Sequence, residues 1–209
     1  MPNPTKTELL ASTPLSFDTD SLAFSGARGT ASQHLDRAEL VAALRALPKA
    51  PLDVGRVELL VARGQSGERV QHTEARLSAD GGMPGDRWVT EDKYGPDYQL
   101  ATTRADTSRV VANGQPLELH GDNLFIDLDL SFENLPEGTE LQAGGARLVV
   151  TPQEHNGCKK WVQRFGLAAM RLNMDAEYRG MRLRGLYLRV VQDGLLRVGD
   201  EIRVLSRGV

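Results

Sequence analysis

Cysteine is almost missing from this chain: among 209 residues there is one, Cys158. A lone thiol cannot close an internal disulfide, so nothing argues for an oxidising compartment, and a reduced, cytoplasmic thiol is expected. No apolar run approaches the ~20 residues that span a bilayer, so no membrane partner is expected. The first residues, MPNPTKTELLASTPLSFDTD, lack the basic start and continuous apolar run of a signal peptide. A net charge of −3 is the wrong sign for a general nucleic-acid binder. One cysteine and four scattered histidines offer no zinc-ligand spacing. No internal repeat is present. What remains is ordinary for a globular protein, 40% hydrophobic and 25% charged, with length for one full core and an extension.

Residues 1 to about 34 are rich in Ser, Thr, Pro, Gly and Ala, and SGARGTASQ reads as poorly ordered. DRAELVAALRALPKAP then predicts one amphipathic helix, a packing arm capped by Asp36, with Leu40, Val41 and Leu44 on one face and Pro48 as its stop. From Gly55 the texture changes to strands: GRVELLVAR and ERVQHTEARLS around the GQSG turn, then YQLATT. TTRADTSRVVANG predicts a helix with a Thr103–Asp106 capping box and an end at Gly114. DNLFIDLDL alternates, with Leu124, Ile126, Leu128 and Leu130 on one face. TELQAGGARLVVT predicts a hairpin around Gly144–Gly145, and the C-terminal stretch two strands joined at Asp193–Gly194, then a Gly199–Asp200 turn. Many short strands, glycine turns and two or three short helices predict a mainly β fold, a closed or partly closed barrel. The division expected is an extension over residues 1–50, partly disordered with one short helix, and a barrel domain over 51–209.

Three stretches could carry chemistry. Cys158 stands in EHNGCKKWVQRFG, between a buried-looking strand and a short helix whose Trp161 and Phe165 share a face and whose stop is Gly166. Unpaired N–H groups at the helix start, with Lys159 and Lys160, favour the thiolate, the form that attacks, carries sulfur or binds a soft metal. The alternative is a buried packing cysteine. His155 is either a base for that thiol or an ordinary hydrogen-bonding histidine. DGGMPGDRW offers three glycines and Arg87 as an anion cradle, or is only a turn. RLRGLYLR places Arg182, Arg184 and Arg189 on one strand face, as a phosphate clamp or a solvated surface.

Together these stretches resemble a MOSC domain of the bacterial stand-alone type, the family named for the C-terminal domain of molybdenum-cofactor sulfurase. The pieces GGMPGDRW, GDNLFIDLDLSFENLPEGTEL, VVTPQEHNGCKKW and RLRGLYLRVVQDGLLRVGDEI follow in order, from about Leu52 to Leu205. The resemblance implies a MOSC-like β-barrel acting in sulfur transfer or molybdenum-cofactor binding, with Cys158 as persulfide carrier or molybdenum ligand. It implies that Arg87 and Arg184 help hold the anionic pterin, and it assigns Gly85, Asp86, Asn156 and Lys159 to the same cofactor-binding set. Pyridoxal phosphate belongs to a separate desulfurase domain that this chain lacks, so it enters only through a partner, a cysteine desulfurase; an electron-donor protein is the other partner implied. Asn-Gly-Cys stands here where related sequences often have Asn-Pro-Cys. After Gly85-Asp86-Arg87 the chain reads WVTEDKYGPDYQL, where one bacterial branch, active on N-hydroxylated compounds, continues His-Gly-Gly.

Competing functions are a molybdenum-cofactor-dependent reductase of N-hydroxylated compounds, a non-catalytic binding module with a structural cysteine, and thiol hydrolysis by Cys158 and His155.

Overall fold

A computed structural model describes residues 27–91 and 95–208. The poor order expected of the N-terminal stretch falls mostly on residues 1–26, outside the described residues.

The described residues form ten strands: β1 (Val54–Arg63), β2 (Arg69–His72), β3 (Glu74–Leu77), β4 (Leu100–Arg104), β5 (Leu124–Ile126), β6 (Glu140–Ala143), β7 (Ala146–Glu154), β8 (Leu186–Gln192), β9 (Gly194–Arg197) and β10 (Glu201–Ser206). Seven of them close a barrel in the order β1-β10-β6-β7-β8-β4-β5, because β1 pairs with both β10 and β5. Only β4 and β5 run parallel, joined through a helix; the other pairs are antiparallel. β2 folds back on the second half of β1, and β3 pairs with β9 in a separate ribbon. Period-2 alternation drives the closure: in β8, Leu186, Leu188 and Val190 enter the core, while Arg189 and Val191 face out. The barrel is filled by aliphatic side chains such as Leu60, Leu100, Leu124, Leu141, Leu148 and Ile202, all essentially inaccessible.

A helical layer covers one side. It comprises α1 (Arg37–Ala46), α2 (Ala105–Ala112), α3 (Lys159–Met174) and the one-turn α4 (Ala176–Arg179). α1 starts where Asp36 was expected to cap it: its side chain accepts from Glu39 N at 2.9 Å, and Glu39 returns the bond to Asp36 N. Leu40 and Leu44 pack with Val111, Trp161 and Phe165, so the arm shares a core with the helix that carries the cysteine.

Several local expectations change. ERVQHTEARLS is two strands serving different sheets. β8 and β9 meet at Asp193–Gly194 without pairing, because each finds a partner elsewhere, β7 and β3. α2 has no side-chain cap; Asp106 instead bonds Arg104 and Thr107, and Asn113, left-handed at φ 44°, ends the helix one residue before Gly114. At Gly166 (φ 87°, ψ 161°) α3 breaks but does not stop, because Ala169, Met170 and Leu172 continue a buried face beyond it. Residues 27–34 hold defined hydrogen bonds to α3 and Gln115, donors and acceptors that composition cannot reveal.

Candidate functional site

β7 runs out of the barrel at Glu154, and four residues later Cys158 opens α3 as its N-cap residue, in extended conformation (φ −124°, ψ 171°). Its thiol is free and exposed. It stands on the rim of a cleft of about 200 Å³ whose lining includes Arg63, Arg69, Arg87, Lys160, Arg164 and Arg184, with Glu91 as the one carboxylate among the described lining residues.

Most of these cations are held by the fold. Asp86, behind the wall, is the hub for Arg63: its carboxylate accepts from Arg63 N, Nε and Nη2 at 2.9, 2.8 and 3.0 Å. It also accepts from Trp88 N at 2.9 Å and Asn123 Nδ2 at 2.6 Å. Burial alone would push Asp86 up; the Arg63 guanidinium overrides it and holds the carboxyl below its usual range. Arg87 begins the one-turn helix that Asp86 caps, 3.7 Å from Glu91. Arg69 donates to the carbonyls of Glu118, Gly67 and Glu68. Burial, then the neighbouring Arg164, Arg87 and Arg63, lower its pKa to about 10. Lys160 is lowered likewise, by burial first and then by Arg87 and Arg164. Cations that depress one another in a concave site favour an anion there.

The floor is a buried polar cluster. Arg184 pairs with Asp122 at 2.5 Å, donates to His120 O at 2.9 Å, and lies 5.4 Å from the Trp161 ring centroid. Burial pushes the Asp122 carboxyl up and Arg184 pulls it back; the net direction is upward. His155 places Nε2 3.4 Å from Asp122 Oδ1 and its ring against Tyr187. Burial, then Arg184 and Arg63, hold His155 well below the usual histidine value, so it is neutral at pH 7. His120 is neutral for a similar reason, burial first and then Arg184. Its Nε2 donates to Ser108 O at 3.0 Å and its Nδ1 accepts from Trp161 Nε1 at 3.3 Å. Among the described residues Arg184 Nε and His155 Nδ1 find no hydrogen-bond partner and are buried, so the floor has donor and acceptor capacity to spare there.

Of the residues singled out from sequence, Cys158, His155, Arg87, Asn156, Lys160 and Arg184 line this one cleft. Gly85, at φ 76°, shapes the turn before Asp86 and does not line the cleft; Asp86 acts through Arg63. Lys159 lines a different groove, of about 530 Å³, beside Val162, Met170 and Met174; Cys158 borders both spaces. No hydrogen bond among the described residues joins His155 to the thiol, and its Nε2 faces Asp122. The three-arginine strand face does not form, because β8 begins only at Leu186, after Gly185 (φ 95°). Arg182 instead bonds the Leu130 and Leu135 carbonyls over the Phe132 ring, and Arg189 is exposed.

Sequence reasoning missed Arg63, Arg69 and Arg164 as cleft residues. Arg63 and Arg69 flank the GQSG turn, and Lys160 and Arg164 stand four apart on α3, a helical spacing that was open to reading.

Solved structures with the same architecture include the YuaD protein from Bacillus subtilis, at TM-score 0.51 and 19% identity, over 72% of this chain and 95% of that one. YiiM from Escherichia coli aligns at TM-score 0.51 and 23% identity, over 73% and 71% of the two chains. None of the curated proteins matches the chain in sequence. The family model of the MOSC domain matches residues 83–203, a span holding Arg87, Cys158, Lys160, Arg164 and Arg184. The chain belongs to the MOSC domain family.

Proposed function

We propose that this protein holds the molybdenum cofactor, with the cofactor's anionic end among the cleft arginines and Cys158 Sγ as the protein's ligand to the metal. The observation that carries the reading is the position of the thiol, exposed on the rim of a cleft lined by six cationic side chains. A soft thiolate suits molybdenum, and forked guanidinium donors suit phosphate. Among the described residues no group of three or more His, Cys, Asp or Glu could hold a metal ion. A metal reaching this cleft therefore brings its other donors with it, and the chain contributes one sulfur. When bound, the cofactor supplies two-electron redox chemistry. The chain's own part is to bind and orient: Arg63 is aimed by Asp86 and Arg184 by Asp122, so little side-chain entropy is lost on binding an anion.

A second reading, a persulfide carrier, is favoured by the openness of Cys158 to two spaces. The Cys158 thiolate attacks the terminal sulfur of a desulfurase persulfide. The donor S–S bond breaks, a Cys158 Sγ–S bond forms, and the desulfurase cysteine leaves as thiolate, its pyridoxal phosphate staying with it. Reduction of N-hydroxylated compounds would require, beyond the bound cofactor, an electron-donor protein.

The test is protein purified from a cofactor-competent host, assayed for molybdenum and by intact mass on one sample. Stoichiometric molybdenum that is lost in Cys158→Ala supports the first reading. A molybdenum-free protein that gains one sulfur atom from a desulfurase and free cysteine supports the second. A protein that takes up neither refutes both.

A further inference from the structure

The segment Ala27–His34 lies outside the matched family span and is tied to the wall of the cleft at one residue, Arg164. Arg164 Nε donates to Ala27 O at 3.2 Å, and its Nη1 to Leu119 O at 2.8 Å. Its own carbonyl lies 3.1 Å from His34 Nε2 and accepts from Gln115 Nε2 at 2.9 Å. Three further bonds pin the strap: Gly29 N to Gln163 Oε1 at 3.0 Å, Thr30 N to Gln115 Oε1 at 2.8 Å and Asn113 Nδ2 to Gln33 O at 3.0 Å. The fit is close enough that a Cβ at Gly29 would stand 2.2 Å from Arg164 O and 2.3 Å from its Cα. Arg164 lines the cleft, as Cys158 does.

We propose that this N-terminal strap is a working part of the site: it positions Arg164 in the cleft, and through Arg164 it sets the positive potential that Cys158 and any anionic reactant experience. The placement agrees with the charges at hand, since Arg164 is lowered by burial and pulled back by the Cys158 thiolate. Arg184, Arg87, Arg69 and Lys160, all cationic, also act on Arg164, so it stands in a largely like-charged field in which the hydrogen bonds of the fold help to hold it. Ala27 O, supplied by the strap, and Leu119 O, supplied by the barrel connection, accept from its guanidinium. The inference deepens the reading of Cys158 as the reactive residue, and rests on it, without depending on which group the cleft carries.

The experiment compares two alkylating reagents on the full-length protein. Iodoacetate is an anion and iodoacetamide is neutral, and both react with the same thiolate. The ratio of their rates therefore reports the local potential and cancels thiol exposure and thiolate fraction. Gly29→Val forces the strap off the Arg164 backbone, and Gln163→Met removes one of its anchors without steric demand. Arg164→Met removes the charge itself. Displacing a unit charge several ångströms away in a wet cleft changes such a ratio by about three- to fivefold. We expect Gly29→Val and Arg164→Met to lower the iodoacetate:iodoacetamide ratio by that factor, and Gln163→Met to lower it less. The double variant Gly29→Val/Arg164→Met should fall no further than Arg164→Met alone. High salt should shrink all these differences. An unchanged ratio in folded Gly29→Val overturns the proposal. If Gly29→Val does not fold, an unchanged ratio in Gln163→Met overturns it instead. An unchanged ratio in Arg164→Met also overturns it. A thiol that reacts with neither reagent in the wild type would count against the proposed function itself, a different failure from the strap's.

Discussion

Asp86→Leu should destabilise the fold severely, reaching the cleft surface through Arg63 and through the one-turn helix of Arg87 and Trp88 that Asp86 caps. The substitution removes an acceptor of five hydrogen bonds and leaves Arg63, its side chain 11% exposed, without its counter-charge. Breaking one side of a buried ion pair costs about 3–5 kcal/mol. Stranded donors at Trp88 N and Asn123 Nδ2 would add to this, but Arg63 borders the cleft and can recover part of its hydration, so about 4 kcal/mol is the working figure. At about 2–4 °C per kcal/mol, the melting temperature should fall by roughly 12 °C. Arg63→Met/Asp86→Leu, which removes both charges, should recover at least half of the loss. The pH dependence has a definite sign. The Asp86 pKa is lower in the folded state than the ~3.9 of an unfolded aspartate. Its contribution is therefore fully present above about pH 4 and is lost as pH falls through the lower folded value. Thermal melts of the wild type and the two variants, at pH 7 and in acid, decide the matter. A melting temperature changed by less than about 2 °C at pH 7 would refute the hub role, as would a double variant less stable than Asp86→Leu.

Arg184→Met should cost about 3–5 kcal/mol by leaving Asp122 unpaired in a fully buried site. Lowering the pH should narrow its gap to the wild type, because Asp122, already pushed upward, can then take a proton; urea titrations at two pH values check both statements. Gly185→Ala should lose at least about 2 kcal/mol, because φ is 95° and its Cβ would stand 1.9 Å from Thr102 O. Gly157→Ala should be tolerated within about 1 kcal/mol: the obstacle is the movable end of Met170, whose Cε would lie 2.5 Å from the new Cβ. Melts of the two glycine variants side by side give the contrast.

The barrel was legible because strands such as GLYLRVVQ alternate where one face is buried, and because glycine turns separate them; in DNLFIDLDL only Leu124–Ile126 forms a strand, and it is buried on both faces. Strand partners were not legible: β8 and β9 look like a hairpin across Asp193–Gly194, yet long-range pairing with β7 and β3 wins over the local turn. Cys158 was legible as a candidate because a lone thiol in a polar, lysine-flanked helix start is poorly suited to packing, and the fold leaves it exposed beside the cleft. The arginines around it were not, apart from Arg87 and Arg184. Arg63 and Arg69 sit at strand ends that closure of the barrel brings beneath the cysteine loop, and Arg164 reads from sequence as one more helical surface residue. The capping role of Asp36 followed from local chemistry alone, whereas the anchoring of residues 27–34 depends on Gln115 and Gln163, more than 80 residues away in the chain.

The central claim is that Cys158 serves chemistry and not packing, and Cys158→Ala tests it most directly. Molybdenum content, intact mass after exposure to a desulfurase and free cysteine, and thermal stability should be measured on matched wild-type and variant samples. An exposed thiol contributes within about 0.5 kcal/mol to stability, so the variant should melt within about 2 °C of the wild type. It should nonetheless lose the molybdenum or the added sulfur that the wild type carries. A variant that keeps its full molybdenum or sulfur load, or one that melts many degrees lower with no change in either, would contradict the account.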